Sequence, residues 1–158
     1  MDRQTFESRV RAIWPALVRA ARCVVREPSD AEDAAAQAVC NCYAALPRLR
    51  DESRFEAWLT RSCINEARMI LRRGKHVELR DDFPDIPVRG PEDAQSLAEW
   101  LALLPQKDRL VLTLMYYNDL SLSQLAQALG VPKGTAASRV SRARKKLKTI
   151  LEQEGFFS

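Results

Sequence analysis

The stretch from Leu120 to Lys148, LSLSQLAQALGVPKGTAASRVSRARKKLK, decides the fold. Ser121 is placed to cap a helix, and Gln124, three residues on, can reach back to close a capping box. Leu122, Leu125, Ala126 and Leu129 recur at i, i+3, i+4 and i+7, which makes one apolar face. Gly130 supplies a left-handed stop, and Pro132 restarts the chain. From Gly134 the apolar positions Ala136, Val140, Ala143, Leu147 and Leu151 run down one side of a second helix. The opposite side, projected at about 100° per residue, carries Thr135, Ser138, Ser141, Arg142 and Lys145, flanked by Arg139 and Lys146. No Asp or Glu interrupts the segment from Lys133 to Lys148. Small residues at the start, then Arg and Lys, suit a helix that puts its first turns into a major groove and grips phosphates farther along. The stretch reads as a helix-turn-helix.

Upstream of it, Leu97, Trp100, Leu101 and Leu104 precede a break at Pro105, and Leu110, Val111, Leu114 and Tyr117 follow it. These helices, resuming from Glu92, supply a core for the helix-turn-helix. Between Gly74 and Pro91 the periodicity disappears, and Gly74, Pro84, Pro87, Gly90 and Pro91 punctuate a charged sequence. That composition marks a flexible linker. The expected division is 1–73, linker 74–91, and 92–158: an all-α chain of two small helical domains, the second ending in a helix-turn-helix.

In the first half, Phe6, Val10, Ile13, Trp14, Leu17, Val18, Ala21 and Val24 share one helical face, with Pro15 placed to kink or divide that helix. Ser29 with Glu32, and Ser53 with Glu56, read as two further capping boxes. Asp30, Glu32 and Asp33 crowd a helix start, where the helix dipole favours carboxylates. In the helix after Ser53, Arg61, Asn65, Arg68 and Arg72 follow at i, i+4, i+7 and i+11, a single polar and basic stripe. Such a stripe is either a solvated face or a second nucleic-acid surface.

Composition narrows the function classes. Nearly half of the 158 residues are hydrophobic, 46%, which argues against disorder, yet no apolar run approaches the length of a spanning helix. The amino terminus lacks the apolar core of a signal peptide, so a cytoplasmic protein without membrane insertion is expected. The net charge of +4 matters less than its placement, since bases dominate the last helix. Cys40 and Cys42 point about 200° apart on a helix and make a poor chelate; with Cys23 and Cys63 they read as buried free thiols. His76, the single histidine, suggests no catalytic constellation. No nucleophile and base pair, metal cluster or phosphate loop is present, so neither an enzyme nor a bound cofactor or metal is expected.

These residues resemble the extracytoplasmic-function (ECF) sigma factors of the sigma-70 family, the small promoter-recognition subunits of bacterial RNA polymerase. Asp30-Ala31-Glu32-Asp33, Phe55, Trp58-Leu59, Asn65 and Leu71-Arg72-Arg73 stand in the order and spacing of that family's domain 2. Leu104-Pro105, Arg109, Leu125-Ala126, Gly130, Pro132, Gly134-Thr135, Ser138-Arg139 and Arg142-Ala143-Arg144 look like its domain 4. The resemblance implies core RNA polymerase and promoter DNA as partners, and admits an anti-sigma factor. It implies that domain 2 binds polymerase, through Asp33, Gln37 and Asn41, and reads the melted −10 element with Arg61, Asn65, Arg68 and Arg72. Domain 4 then reads the duplex −35 element, with Ser138, Ser141 and Arg142 as base readers beside Thr135, and Arg139, Arg144, Lys145 and Lys146 as phosphate anchors. Three positions depart from the pattern. Ala36-Gln37-Ala38-Val39 lacks an expected acid, Tyr43 stands where Trp is common, and Ala137 replaces a commonly basic residue. The competing reading is a free-standing helix-turn-helix regulator, in which the first half serves dimerisation or sensing and has no reason to carry the Arg61 to Arg72 stripe. A second competitor is a sequestering or adaptor protein of the same architecture.

Overall fold

The computed structural model describes residues 1–74 and 97–153. The expected linker after Gly74, with His76, and the helical start expected at Glu92 lie outside the described residues. Every regular element among those described is helical: α1 (Arg3–Arg22), α2 (Pro28–Ala44), α3 (Phe55–Gly74), α4 (Leu97–Ala102), α5 (Gln106–Tyr116), α6 (Leu122–Leu129) and α7 (Lys133–Gln153). Two short 3-10 turns, Leu46–Arg48 and Glu52–Arg54, connect α2 to α3.

Two local expectations are corrected, and of the kink or division expected at Pro15 the division is excluded. Pro15 does not divide α1, which runs unbroken through it from the Asp2 cap, whose Oδ1 accepts from Thr5 N at 2.7 Å. The missing N–H costs one helical bond, and the complete burial of Leu17, Ala20 and Ala21 in the next turns offsets it. Helix α2 does not begin at a Ser29 and Glu32 box; it begins earlier, at Pro28, with Glu27 as a cap that makes no side-chain bond. Proline at the first helical position fixes φ and loses no hydrogen bond there, so it decides the start. The Ser53 and Glu56 box is also absent. Asp51 Oδ1 instead takes both Ser53 N, at 3.0 Å, and Ser53 Oγ, at 2.6 Å, winding the 3-10 turn that leads into α3. Glu56 is held by Arg9, whose Nε donates to Oε1 at 2.8 Å.

The first half packs on small residues. Ala31, Ala34, Ala35 and Ala38 form a fully buried face of α2, and without longer side chains on that face α2 lies close against both α1 and α3. Phe55 is completely buried, edge-on to Phe6 at 5.5 Å and to Trp58 at 6.3 Å, with the Arg9 guanidinium 4.9 Å from its ring centre. Cys23, Cys42 and Cys63 are buried free thiols, as expected, whereas Cys40 is exposed on α2. It sits on the face opposite the alanines, where no neighbouring helix covers it.

The second half forms as its sequence dictates. Ser121 N donates to Gln124 Oε1 at 2.8 Å and Gln124 N to Ser121 Oγ at 3.2 Å, the complete capping box. Gly130 closes α6 in the left-handed conformation, φ 69°. Ala136, Val140 and Ala143 face inward from α7, and Leu101, Leu104, Leu112 and Ala143 make a small core belonging to this half alone.

The main core is larger and crosses between the halves. Leu110, Val111, Leu114, Leu125, Leu129 and Val140 join the buried residues of α1, α2 and α3 in one continuous cluster. Helix α3 lies along α6, and α1 meets α5. Polar ties fix the α1 and α5 side of this seam. Gln106 Nε2 donates to Val24 O at 2.8 Å, and Asn118 Nδ2 to Ala16 O at 2.9 Å. Arg19 Nε donates to Asn118 Oδ1 at 3.3 Å, and Cys23 Sγ lies 3.5 Å from Thr113 Oγ1.

Candidate nucleic-acid interface

Helix α7 turns its basic side outward because its alanines and Val140 are held by α5 and α6. Ser138, Ser141, Arg142 and Lys145 are exposed, while Thr135 and Arg139 are half-buried at the edge of the turn. The Ser138 hydroxyl donates to Gly134 O at 3.1 Å, so its remaining lone pairs are what it offers outward. Two of the expected anchors are engaged within the protein. Arg144 Nε donates to the Tyr116 hydroxyl at 2.7 Å, with its guanidinium 5.6 Å from that ring centre. Lys146 Nζ donates to Asp108 Oδ2 at 2.8 Å. Both contacts tie α7 to α5 and leave Arg142 and Lys145 projecting on the open face. Neither Tyr116 nor Asp108 is marked by a motif in the sequence; only the packing of α5 on α7 brings them to these positions.

The stripe on α3 is one surface, as its spacing requires, and Arg61, Asn65, Arg68 and Arg72 are all exposed along it. Arg61 lies against the α6 to α7 turn: a Cβ built on Gly130 would be 3.0 Å from its Nη2 and 3.1 Å from its Cζ. Glycine is needed there for its positive φ; the Arg61 guanidinium, at the far end of a flexible exposed side chain, can give way. Arg68, though exposed, sits near Arg139 of α7 and Arg72 of its own helix, and partial desolvation together with those two positive neighbours holds its pKa below the ordinary guanidinium value.

On α2, Asp33, Gln37 and Asn41 share an exposed face. Gln37 Nε2 donates to Asn41 Oδ1 at 2.9 Å, and Asn41 Nδ2 passes the chain on to Glu66 Oε1 of α3 at 2.9 Å. Glu66, Tyr43 (49% exposed) and Met69 (38% exposed) extend this face beyond the residues singled out from sequence. Tyr43 is amphipathic and stacks edge-on to Phe6 at 5.2 Å, which holds it in place while leaving half of it outward. Among the described residues no group of His, Cys, Asp or Glu is arranged to hold a metal ion, and no helix is long and apolar enough to cross a membrane.

Comparison with known proteins follows the same division. The family described as Sigma-70 region 2 matches residues 10–77, and that described as Sigma-70, region 4 matches residues 94–147. The RNA polymerase sigma-E factor of Streptomyces avermitilis is 32% identical over 152 residues, covering 93% of this chain and 85% of that protein. The ECF RNA polymerase sigma factor SigM of Mycobacterium tuberculosis is 30% identical over 155 residues, covering 95% and 79%. Among solved structures, the sigma factor RpoE of Bartonella quintana, in complex with the anti-sigma factor NepR, superposes with a TM-score of 0.71 at 25% identity, covering 94% of this chain and 98% of that one. CnrH in complex with the cytosolic domain of CnrY has the same fold, with a TM-score of 0.67 at 24% identity, covering 98% and 92%.

Proposed function

Because the chain belongs to the ECF sigma factors of the sigma-70 family, we propose a residue-level division of promoter recognition between its two halves. It is an RNA polymerase sigma factor, which binds core polymerase and directs promoter-specific initiation. Residues 1–73 act as domain 2, 92–158 as domain 4, and 74–91 join them. Arg142 reads a base edge of the −35 duplex, since its fork can bond guanine at two points and no contact within the protein engages it among the described residues. Ser138 and Ser141 are its companion readers, beside Thr135. Lys145 and Arg139 hold phosphates directly. Arg144 and Lys146 are tied to α5 in the free protein, so they set the pitch of α7 first and meet phosphates second.

Arg61, Asn65, Arg68 and Arg72 receive the melted −10 strand, and Asp33, Gln37 and Asn41 meet polymerase on the adjoining face of the same half, which Asn41 ties to Glu66 of α3. The chain acts in the cytoplasm, where core polymerase works, and carries no catalytic step of its own. An anti-sigma factor of the kind bound to its structural neighbours is a further partner. The observation that carries this reading is the outward basic face of α7 in a chain whose other half bears a second basic stripe, on α3. A dimerising regulator needs only the first. Run-off transcription with purified core polymerase, on a promoter from the protein's own operon, tests it. Initiation that depends on both polymerase and this chain is the expected result, and DNA binding without initiation would favour the free-standing regulator.

A further inference from the structure

We propose that the Tyr116 hydroxyl and the Arg144 guanidinium form one site for a backbone phosphate of the promoter duplex, so that Tyr116 is a DNA contact supplied from outside the helix-turn-helix. The proposal rests on the reading of α7 as the −35 helix. Tyr116 is the last residue of α5 and is half exposed beside α7. Arg144 Nε donates to its hydroxyl at 2.7 Å, and the guanidinium lies 5.6 Å from the ring centre. Arginine has no acceptor, so the phenolic proton cannot return that bond and points away from Arg144. Among the described residues that proton meets no acceptor, and neither do the Nη protons of Arg144. The tie holds a long, flexible side chain in place before DNA arrives. Donation from a cation into the phenol oxygen also makes the phenol a stronger donor.

The position on α7 selects phosphate over base. A helix with its side chains is about 10 to 12 Å across, and the major groove is about 12 Å wide. A helix laid in that groove turns its outermost face to the bases and its two flanks to the two backbones. Ser138 is on the outermost face, opposite the buried Ala136, Val140 and Ala143. Arg144 stands about 120° round the helix from Ser138, on a flank that also carries the exposed Lys148. Arg142 stands about 200° from Arg144, toward the other flank. Anchored through Nε to α5, Arg144 presents its remaining donors at the groove wall, next to the phenolic proton. A phosphate diester has two non-bridging oxygens, enough to accept from both groups.

The test is binding of holoenzyme, core polymerase with the full-length chain, to a duplex spanning the −35 element of the protein's own operon promoter and to a scrambled duplex. Both side chains lie on the surface, so neither change disturbs the core. Tyr116→Phe keeps the ring and removes only the hydroxyl. It should weaken both duplexes alike by about tenfold, the scale of a hydrogen bond to a charged group. Its salt slope should stay at the wild-type value, because the lost donor is neutral. Arg144→Ala should weaken binding at least as much and reduce the slope by about one. Methylphosphonate substitution, one linkage at a time, locates the phosphate: with one linkage neutralised, both variants should bind as tightly as wild type does. The shared site is overturned by unchanged affinity of Tyr116→Phe, by a loss confined to the cognate duplex, or by different linkages for the two variants. A salt slope lowered by Tyr116→Phe would also overturn it, since the hydroxyl would then act only by holding Arg144. Wild-type holoenzyme that binds the cognate duplex no better than the scrambled one is a separate result, which refutes the reading of α7 and the proposal with it.

Discussion

Lys146 reaches from α7 to the Asp108 carboxylate of α5 at 2.8 Å, while its neighbour Lys145, about 100° round the helix, is exposed on the open face. Adjacent lysines on one helix thus have different physical roles. Asp108 is almost wholly buried, so removing its partner leaves a carboxylate poorly solvated. Lys146→Ala should lower stability by about 1 kcal/mol, a value kept small because the ammonium itself is half exposed. Lys145→Ala should leave the melting temperature unchanged, weaken cognate and scrambled duplexes alike, and reduce the salt slope of binding by about one. Thermal melts and salt titrations of both variants separate the roles.

Arg142→Ala should cost about 1 to 3 kcal/mol on the cognate −35 duplex, the usual value of a bidentate base contact. A scrambled duplex should lose much less. Equal losses on the two duplexes would reassign Arg142 to a phosphate.

Asn65→Ala should leave folding and polymerase binding intact and impair open-complex formation. An amide that both donates and accepts can hold an extruded base, offsetting an unstacking cost of a few kcal/mol. Permanganate reactivity of thymines around the −10 region reads the effect, and wild-type reactivity on native duplex would exclude Asn65 from opening.

Burial pushes the thiols up, Cys42 to about 11 and Cys63 to about 12, against an ordinary 9.0, and it raises Cys23 as well. At pH 8 the native protein should therefore show one rapidly reacting thiol, Cys40, and four after denaturation. The sign of the linkage follows. Folded thiols with raised pKa values contribute stability that is fully present below pH 9 and is lost as pH rises through 11 and 12. Chemical denaturation at pH 8 and at pH 10 should show lower stability at the higher pH, and replacing Cys42 and Cys63 by Ala should flatten that difference.

What could be read from the sequence was what neighbours along the chain decide. The Ser121 and Gln124 box, the Gly130 stop and the outward side of α7 all depend on residues within a turn or two of each other, and all stand as expected. The boxes at Ser29 and Ser53 failed for an equally local reason: Pro28 started one helix earlier, and Asp51 competed for the Ser53 amide. Contacts distant in sequence were not legible. Leu110, Val111 and Leu114 are marked as core by their periodicity, but periodicity does not say which surface they meet. It could not indicate that α1 and α3 would be among their neighbours, nor that Arg61 would rest on Gly130.

The alanine face of α2 has a consequence for the chain as a target of mutation. Ala31, Ala34, Ala35 and Ala38 have no exposed surface, and each is a position where an added methylene has nowhere to go. Overpacking of this kind costs about 1 to 3 kcal/mol, irrespective of hydrophobicity. A saturation library of these codons would rank variants by side-chain volume: glycine and serine would survive more often than valine or leucine, and conservative exchanges by polarity would be the damaging ones.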